Sequence, residues 1–560
     1  MKLSRTKKAV IVIVGVCFLG LSFYGFKQDD KNFRIAKNLD IYYTLFRELN
    51  LFYVDDVNPD KLVKTSIDKM LESLDPYTNY ISEDEAEDFK FMTTGEYAGI
   101  GSLISKQKGK IVIAEPYEGF PAQKGGLKAG DILLEVGGKS TAKLSTEDVS
   151  NLLKGPAGKP IVLKVERYGV KKPMDITIIR EKIQIDPVTY YGMLDKETGY
   201  IRLSSFTADC TERVKLAFID LKEKQGAKSI VLDLRSNPGG LLIEAVRISN
   251  LFIPKGKEIV STRGRVKQWD KVYKATEAPL DTLMPLAVLV NRGSASAAEI
   301  VAGAIQDLDR GMIIGTRTFG KGLVQTTRDL SYNSKLKITT AKYYIPSGRC
   351  IQALDYTHRN KDGSVGAVPD SLITKYNTKK GRIVFDGGGV APDVAVADEI
   401  LSNLAANLIT QSVIFDYATY FNSKTEKVAI PEEFTITPEI YSDFVQFVKK
   451  QDFKYESKTE EEFDKLIDVA KREKYYDISK NESEALKAKI GHNIDQDLDH
   501  FKKEISELMA DEIVSRYYYQ KGAIKAALKD DKDVDKALEI LQKPEGYSAI
   551  FAAGRIIKAN

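Results

Sequence analysis

The sequence predicts an α+β protein of several domains, and three observations carry that prediction. In the middle of the chain, apolar runs of strand length alternate with helical spacing. Ser229-Ile230-Val231-Leu232-Asp233-Leu234 leads to a helix over Leu241 to Leu251, and Leu286-Ala287-Val288-Leu289-Val290 leads to apolar positions at Ile300, Val301, Ala304 and Ile305. Strand then helix, repeated, builds a parallel or mixed α/β sheet. Before it, residues near Gly95 to Gly169 read as a small β-rich module; after about Leu401 the texture changes to charged amphipathic helices. At 560 residues the chain exceeds any single core. Its 83 Lys and Arg against 79 Asp and Glu leave +4, too balanced for a nucleic-acid binder, and 43% hydrophobic residues exclude a disordered chain.

Taken in order, the expected units are 1–30, a cytoplasmic tip and transmembrane anchor; 31–90, a helical segment; 91–175, the β-rich module; 176–400, the α/β core; and 401–560, a helical C-terminal domain. Ala9 to Phe26 is an uncharged apolar run preceded by Lys2, Arg5, Lys7 and Lys8. It is long enough to span a bilayer, and the basic flank predicts a cytoplasmic N-terminus with everything after Lys27 outside, on the periplasmic side. A cleaved signal peptide is the competing reading, but no Ala-x-Ala site follows. Cys17 follows Val16 rather than a small residue, which argues against lipidation; Cys210 and Cys350 remain, with their pairing open. Ile41, Leu45, Leu49, Leu51 and Tyr53 give a first helix its apolar positions, Leu62 to Leu71 a second, and Leu74-Asp75-Pro76-Tyr77 stops it. In the C-terminal region Phe444, Val445, Phe447 and Val448 share a face, as do Phe463, Leu466, Ile467 and Ala470, and Phe501, Ile505, Leu508 and Met509. Arg516-Tyr517-Tyr518-Tyr519 reads as core or interface.

The chemistry concentrates between Leu286 and Gln325. The apolar run empties through Asn291-Arg292-Gly293 into Ser294-Ala295-Ser296-Ala297-Ala298-Glu299, so Ser296 sits where a strand becomes a helix. There the first helical N–H groups lack intrahelical partners and the helix dipole favours negative charge, which suits a nucleophile and a developing oxyanion. The same residues form a capping box, Ser296 at N-cap and Glu299 at N3, and caps are far commoner than nucleophiles. What shifts the balance is Thr318-Phe319-Gly320-Lys321-Gly322-Leu323-Val324-Gln325, where strand-like alternation puts Lys321, Leu323 and Gln325 on one face. Gly315 to Lys321 mimics a phosphate-binding loop, but Gly322 stands where Ser or Thr belongs and no helix start follows. Of the histidines, His492 and His500 lie in the charged C-terminal region, and His358 sits in a polar run, Asp355 to Gly363, that reads as an exposed loop. Lys321 is therefore the better base for Ser296. To take the hydroxyl proton near pH 7 it must be neutral, and burial can lower a lysine from about 10.4 to about 7 at roughly 4 kcal/mol.

Asn291-Arg292-Gly293-Ser294-Ala295-Ser296-Ala297-Ala298-Glu299-Ile300-Val301-Ala302-Gly303-Ala304, followed by Thr318-Phe319-Gly320-Lys321-Gly322 and Gln325, resembles the active-site signature of the carboxyl-terminal processing peptidases, or tail-specific serine proteases. The resemblance extends to Asp233-Leu234-Arg235-Ser236-Asn237-Pro238-Gly239-Gly240 and to Gly387-Gly388-Gly389-Val390-Ala391-Pro392-Asp393. It implies a crotonase-like peptidase core in which Ser296 is nucleophile, Lys321 general base and Gln325 the support of the lysine. Backbone N–H groups of Ala297 and of Gly239 or Gly240 would hold the oxyanion. The β-rich module resembles a PDZ domain, in which Gly99-Ile100-Gly101 would offer N–H groups to a peptide's terminal carboxylate while the tail adds as a strand. The implied enzyme is a membrane-anchored extracytoplasmic serine endopeptidase acting on protein substrates held by their C-terminal tails. No metal, nucleotide or other cofactor is implied, and no nucleic acid. The helical C-terminal domain is left to assembly as a homo-oligomer, substrate delimitation or adaptor docking. The alternatives are a catalytically silent PDZ scaffold and a hydrolase dependent on His358.

Overall fold

The computed structural model describes residues 30–557 apart from 398, 399, 452, 456, 457, 492 and 553. The apolar run Ala9 to Phe26 lies outside the described residues, as does His492; among the described residues no helix is long and apolar enough to cross a membrane. The chain divides into two compact units, residues 1–80 and 81–560.

The first unit contributes a helix over 30–52 and a second, Pro59–Glu72. Pro59 at the first position and Asn58 as N-cap, accepting the Lys61 N–H at 3.0 Å, start the second helix. The apolar positions of the first, Ile41, Leu45, Leu49, Leu51 and Tyr53, are all exposed, so the helical reading holds while the burial it suggested does not.

The second unit is built around a mixed sheet. Its strands run in the order Val188–Met193, Thr198–Leu203, Ser229–Asp233, Leu286–Val290, Met312–Gly315 and Val394–Ala395; the first pair is antiparallel and every later pair parallel. Strands covered on both faces read as continuous apolar runs, and each residue of Leu286–Val290 is buried. Helices Cys210–Ile219, Leu242–Phe252 and Ala297–Asp307 pack one face through Phe218, Ala245, Ile248, Ile300 and Val301. The other face, carrying Tyr200, Val231, Leu289 and Ile314, is covered by the chain's last helices, Lys532–Leu541 and Pro544–Ile550, through Val534, Ala537, Leu541 and Ile550. Part of the region set apart as a C-terminal domain thus completes the core. Beside this sheet, Leu323–Asp329, Lys335–Tyr344, Glu258–Gly264 and Lys271–Lys274 form an antiparallel sheet in that order.

The β-rich module is an antiparallel sheet of Ser102–Gln107, Lys110–Pro116, Ile132–Val136, Pro160–Glu166 and Met174–Ile179, closed by the helix Thr146–Leu153 with Ser145 as its cap. It docks on the helical region. Lys108 pairs with Asp416 at 2.5 Å, the Gln123 amide donates to the Tyr519 hydroxyl at 2.9 Å, and Gly130 leaves no room for a methyl beside Thr419. Helices Asn403–Thr410, Val413–Lys424, Pro438–Lys450, Ile494–His500 and Lys502–Ala527 enclose a core of Tyr417, Phe444, Val448, Ile505 and Met509. In helices Lys458–Arg472 and Lys480–Ile490 the second of the expected faces is covered in part: Phe463 is buried, Ile467 and Ala470 are half-buried and Leu466 is 59% exposed. Cys210 and Cys350 are both free thiols.

Candidate active site

Two adjacent strand-to-helix crossovers deliver the site. One leaves Asp233 through residues 234–241 and the other leaves Val290 through 291–296, and hydrogen bonds lace them together. The Ser294 hydroxyl donates to Leu234 O at 2.8 Å, Ala295 N–H to Asn237 O at 2.9 Å and Ser236 N–H to Asn291 Oδ1 at 2.8 Å. Asn237, fully buried, donates through its side chain to Leu203 O at 2.8 Å.

Ser296 has an unusual backbone for a helix start. An N-cap ordinarily has extended dihedrals; Ser296 has φ 55° and ψ −111°, a conformation that costs a non-glycine residue on the order of 1–3 kcal/mol. Such a kink lifts the side chain out of a strand-to-helix turn, the arrangement of a nucleophile elbow. The expected helix follows from Ala297 to Asp307. Gly239 has φ +97°, and a methyl on it would meet Ala295 O at 2.7 Å, Ser296 Cβ at 2.8 Å and Ala297 N at 2.9 Å, so only glycine fits beside the helix start. Gly239 thus lies against Ala297 N while Gly240 packs on the Phe206 backbone, and the Gly239 N–H donates to Asn237 Oδ1 at 2.9 Å.

Glu299 does more than cap. Its fully buried carboxylate accepts from Ser296 N–H at 2.8 Å and Lys321 N–H at 2.9 Å on one oxygen, and from the Thr318 hydroxyl at 2.6 Å and Gly320 N–H at 2.7 Å on the other. Burial pushes its pKa up to about 7, against donors that all pull it down. The peptides of Ser296 and Lys321 thus share one oxygen. Tyr343, 1% exposed, ties their other ends: its hydroxyl lies 2.5 Å from Lys321 O and 3.1 Å from Ser296 O.

The Gly-Lys-Gly segment is held from every side. Gly322 N–H donates to Gln352 Oε1 at 2.8 Å, Ala353 N–H to Gly320 O at 2.9 Å and Tyr343 N–H to Gly322 O at 3.0 Å. Gly389 and Val390 of the third signature segment close on it, with Val390 N–H on Thr318 Oγ1 at 2.7 Å. One expectation needs correcting. The strand begins at Leu323, not at the lysine, and its pairing slips between Val324 and Gln325, so strict alternation does not link Lys321 to Gln325. The Gln325 amide donates to Thr339 Oγ1 at 3.1 Å. The segment after Gly315 leads into that strand and not a helix. His358 lies on a strand, Leu354–Arg359, rather than in a loop; its side chain is 86% exposed and pairs with Asp355 at 2.8 Å. In the sequence Glu299 reads only as a cap, and nothing marks Tyr343 or Gln352.

In the β-rich module, Gly99 ends a strand, Glu96–Gly99, paired with Glu181–Gln184. The carbonyls of Ile100 and Gly101 accept from the N–H groups of Ala122 and Tyr117, and burial raises the pKa of the nearby Tyr97 hydroxyl.

Residues 197–358 match peptidase family S41, residues 112–167 a PDZ domain, and residues 404–541 the C-terminal helical domain of probable PDZ-proteases. A carboxy-terminal-processing protease of Bartonella bacilliformis is 38% identical over 357 residues, 63% of this chain and 81% of the relative. A probable CtpA-like serine protease of Staphylococcus aureus is 32% identical over 474 residues, 83% of this chain and 90% of the relative. Among solved structures, a photosystem II D1 C-terminal processing protease is 29% identical, covering 64% of this chain and 93% of that one at a TM-score of 0.35.

Proposed function

The chain belongs to the S41 carboxy-terminal-processing proteases and is a PDZ-bearing serine-type endopeptidase, and from that premise we propose that it cuts by a Ser296–Lys321 dyad. The observation that carries the reading is the shared clamp: one Glu299 oxygen holds both amides and one Tyr343 hydroxyl faces both carbonyls. Ser296 Oγ attacks the scissile carbonyl while neutral Lys321 takes its proton and later returns it to the leaving amine. The oxyanion forms against Ala297 N–H at the start of the helix. A second donor comes from the Gly239–Gly240 turn, where Gly239 must exchange Asn237 Oδ1 for the substrate oxygen. Gln325 supports the lysine through the amide oxygen that its bond to Thr339 leaves over. Exposed and already paired with Asp355, His358 is a poor rival for the base.

Substrate tails add beside Ser102–Gln107, an edge strand of the PDZ sheet, with the terminal carboxylate on the amides of Gly99-Ile100-Gly101 and Ser102. The anchor over Ala9 to Phe26 and an extracytoplasmic catalytic part complete the reading, supported by the basic flank of that run. Protease protection in spheroplasts tests it.

The dyad is tested by incubating the enzyme, Ser296→Ala and Lys321→Ala with an unstructured protein bearing an apolar C-terminus. Both variants should lose processing; equal cleavage by all three removes the dyad.

A further inference from the structure

We propose that Tyr343 is a positioning residue of this reaction, its hydroxyl bridging the main chains of Ser296 and Lys321 and fixing the nucleophile's segment against the base's. The inference rests on the dyad reading above.

Lys321 has a glycine on each side, so no neighbouring Cβ restrains its backbone. Its geometry must come from hydrogen bonds. The amide is taken by Glu299, and the carbonyl faces the Tyr343 hydroxyl at 2.5 Å. Removing that hydroxyl leaves the lysine's peptide bonded at one end only of the pair described. The Ser296 carbonyl is less dependent: it already accepts the first helical bond, from Ile300 N–H at 3.0 Å, and the tyrosine lies further off at 3.1 Å. A phenol carries one proton, so it donates chiefly to Lys321 and touches Ser296 as the second partner.

Tyr343 itself cannot drift. Its ring is in the core cluster with Ala297, Ala298, Ile300 and Ile345, and its residue pairs across to Thr262 on one side while its N–H donates to Gly322 O on the other. A buried phenol needs a partner for its hydroxyl, and any acceptor would satisfy that need. Here the acceptors belong to the two residues of the dyad. Glu299 acts on the amides and Tyr343 on the carbonyls, so both faces of the junction are fixed by buried side chains.

The experiment compares wild type, Tyr343→Phe and a protein carrying 3-fluorotyrosine at 343, which keeps the hydroxyl. Steady-state cleavage is measured well below each melting temperature, together with the rate at which a fluorophosphonate labels Ser296. Tyr343→Phe is expected to lose about 10- to 100-fold in kcat with KM nearly unchanged, and to label correspondingly slowly; the fluorotyrosine enzyme should recover most of both. Unchanged kcat and labelling in a folded Tyr343→Phe overturn the proposal, as do a loss confined to KM, failure of the fluorotyrosine to rescue, or a Phe variant that does not fold, each of which leaves a structural role only. Ser296→Ala and Lys321→Ala run alongside: if they cleave, the dyad fails, whereas if they are dead and Tyr343→Phe is normal, only the tyrosine's role fails.

Discussion

At Glu299 the whole of a carboxylate's accepting capacity is spent on main-chain and hydroxyl donors from the segments that carry Ser296 and Lys321. Glu299→Gln puts a donor where acceptors are needed, so at least one N–H loses its partner and the junction opens; kcat/KM should fall about 100-fold with the Tm lowered. The charge gives a second reading. The folded pKa is raised from about 4.5 to about 7, so between those values the folded protein binds more protons than the unfolded chain. Stability contributed by this group is full below about 4.5, falls as pH rises to about 7 and is level above. Denaturation across that window should show the slope in wild type and its loss in Glu299→Gln. Ser296 offers a separate test. Because its φ is 55°, Ser296→Gly should be more stable than Ser296→Ala by about 1 kcal/mol although both are inactive. Equal midpoints in urea would mean the kink stores no strain. Ser296 and Lys321 were legible because residue type and local pattern both mark them. Tyr343 was not: it sits in a β-run like any other, and only the pairing of its strand brings its hydroxyl to Lys321.

Among the elements, the strands and helices of the core follow from their apolar runs, and Leu286–Val290 with Ala297–Asp307 lie where periodicity put them. Sequence pattern and structure part where a neighbour decides. Strand character was extended back to Lys321 because glycines are silent about direction, and the slip between Val324 and Gln325 depends on the partner strand. The face of Phe463, Leu466, Ile467 and Ala470 is covered only in part, with Leu466 left exposed, because amphipathicity says that a face prefers burial, not how far a neighbour covers it. The helix Lys502–Ala527 shows the same dependence. At Tyr519 it breaks, with φ 54° and ψ −163°, and nothing in Arg516-Tyr517-Tyr518-Tyr519 announces that. The break is where the PDZ domain sits: the Gln123 amide donates to the Tyr519 hydroxyl at 2.9 Å. Gln123→Ala should therefore speed hydrogen exchange around the kink while the PDZ domain's own melting is little changed, because the lost bond belongs to the partner helix. Exchange at wild-type rate would show that the kink is sealed without the PDZ domain.

Across the whole molecule, the peptidase sheet is finished by the end of the helical domain and the short helix after it. The pattern in Lys532–Leu541 identifies an amphipathic helix but not its partner, so the sequence does not say that the end of the helical domain packs on the sheet. In the structure Val534 and Ala537 meet Tyr200, Val231 and Leu289 on the sheet, and Arg235 joins Asp233 at its strand end to Asp531 and Asp533 at 2.7 and 3.0 Å. Arg235 belongs to the loop that ends in Gly239 and Gly240, so the last helices brace the loop expected to supply an oxyanion donor. Two variants separate these roles. Arg235→Ala leaves Asp233, 0% exposed, without its cation and should cost about 3–5 kcal/mol, whereas Asp531→Ala with Asp533→Ala keeps the Arg235–Asp233 pair and should cost less. Val534→Asp buries an unpaired charge against the sheet and should collapse the peptidase transition while the PDZ domain, docked elsewhere, melts as before. If Val534→Asp instead weakens only the helical domain and the sheet melts unchanged, those helices are guests of the core rather than part of it.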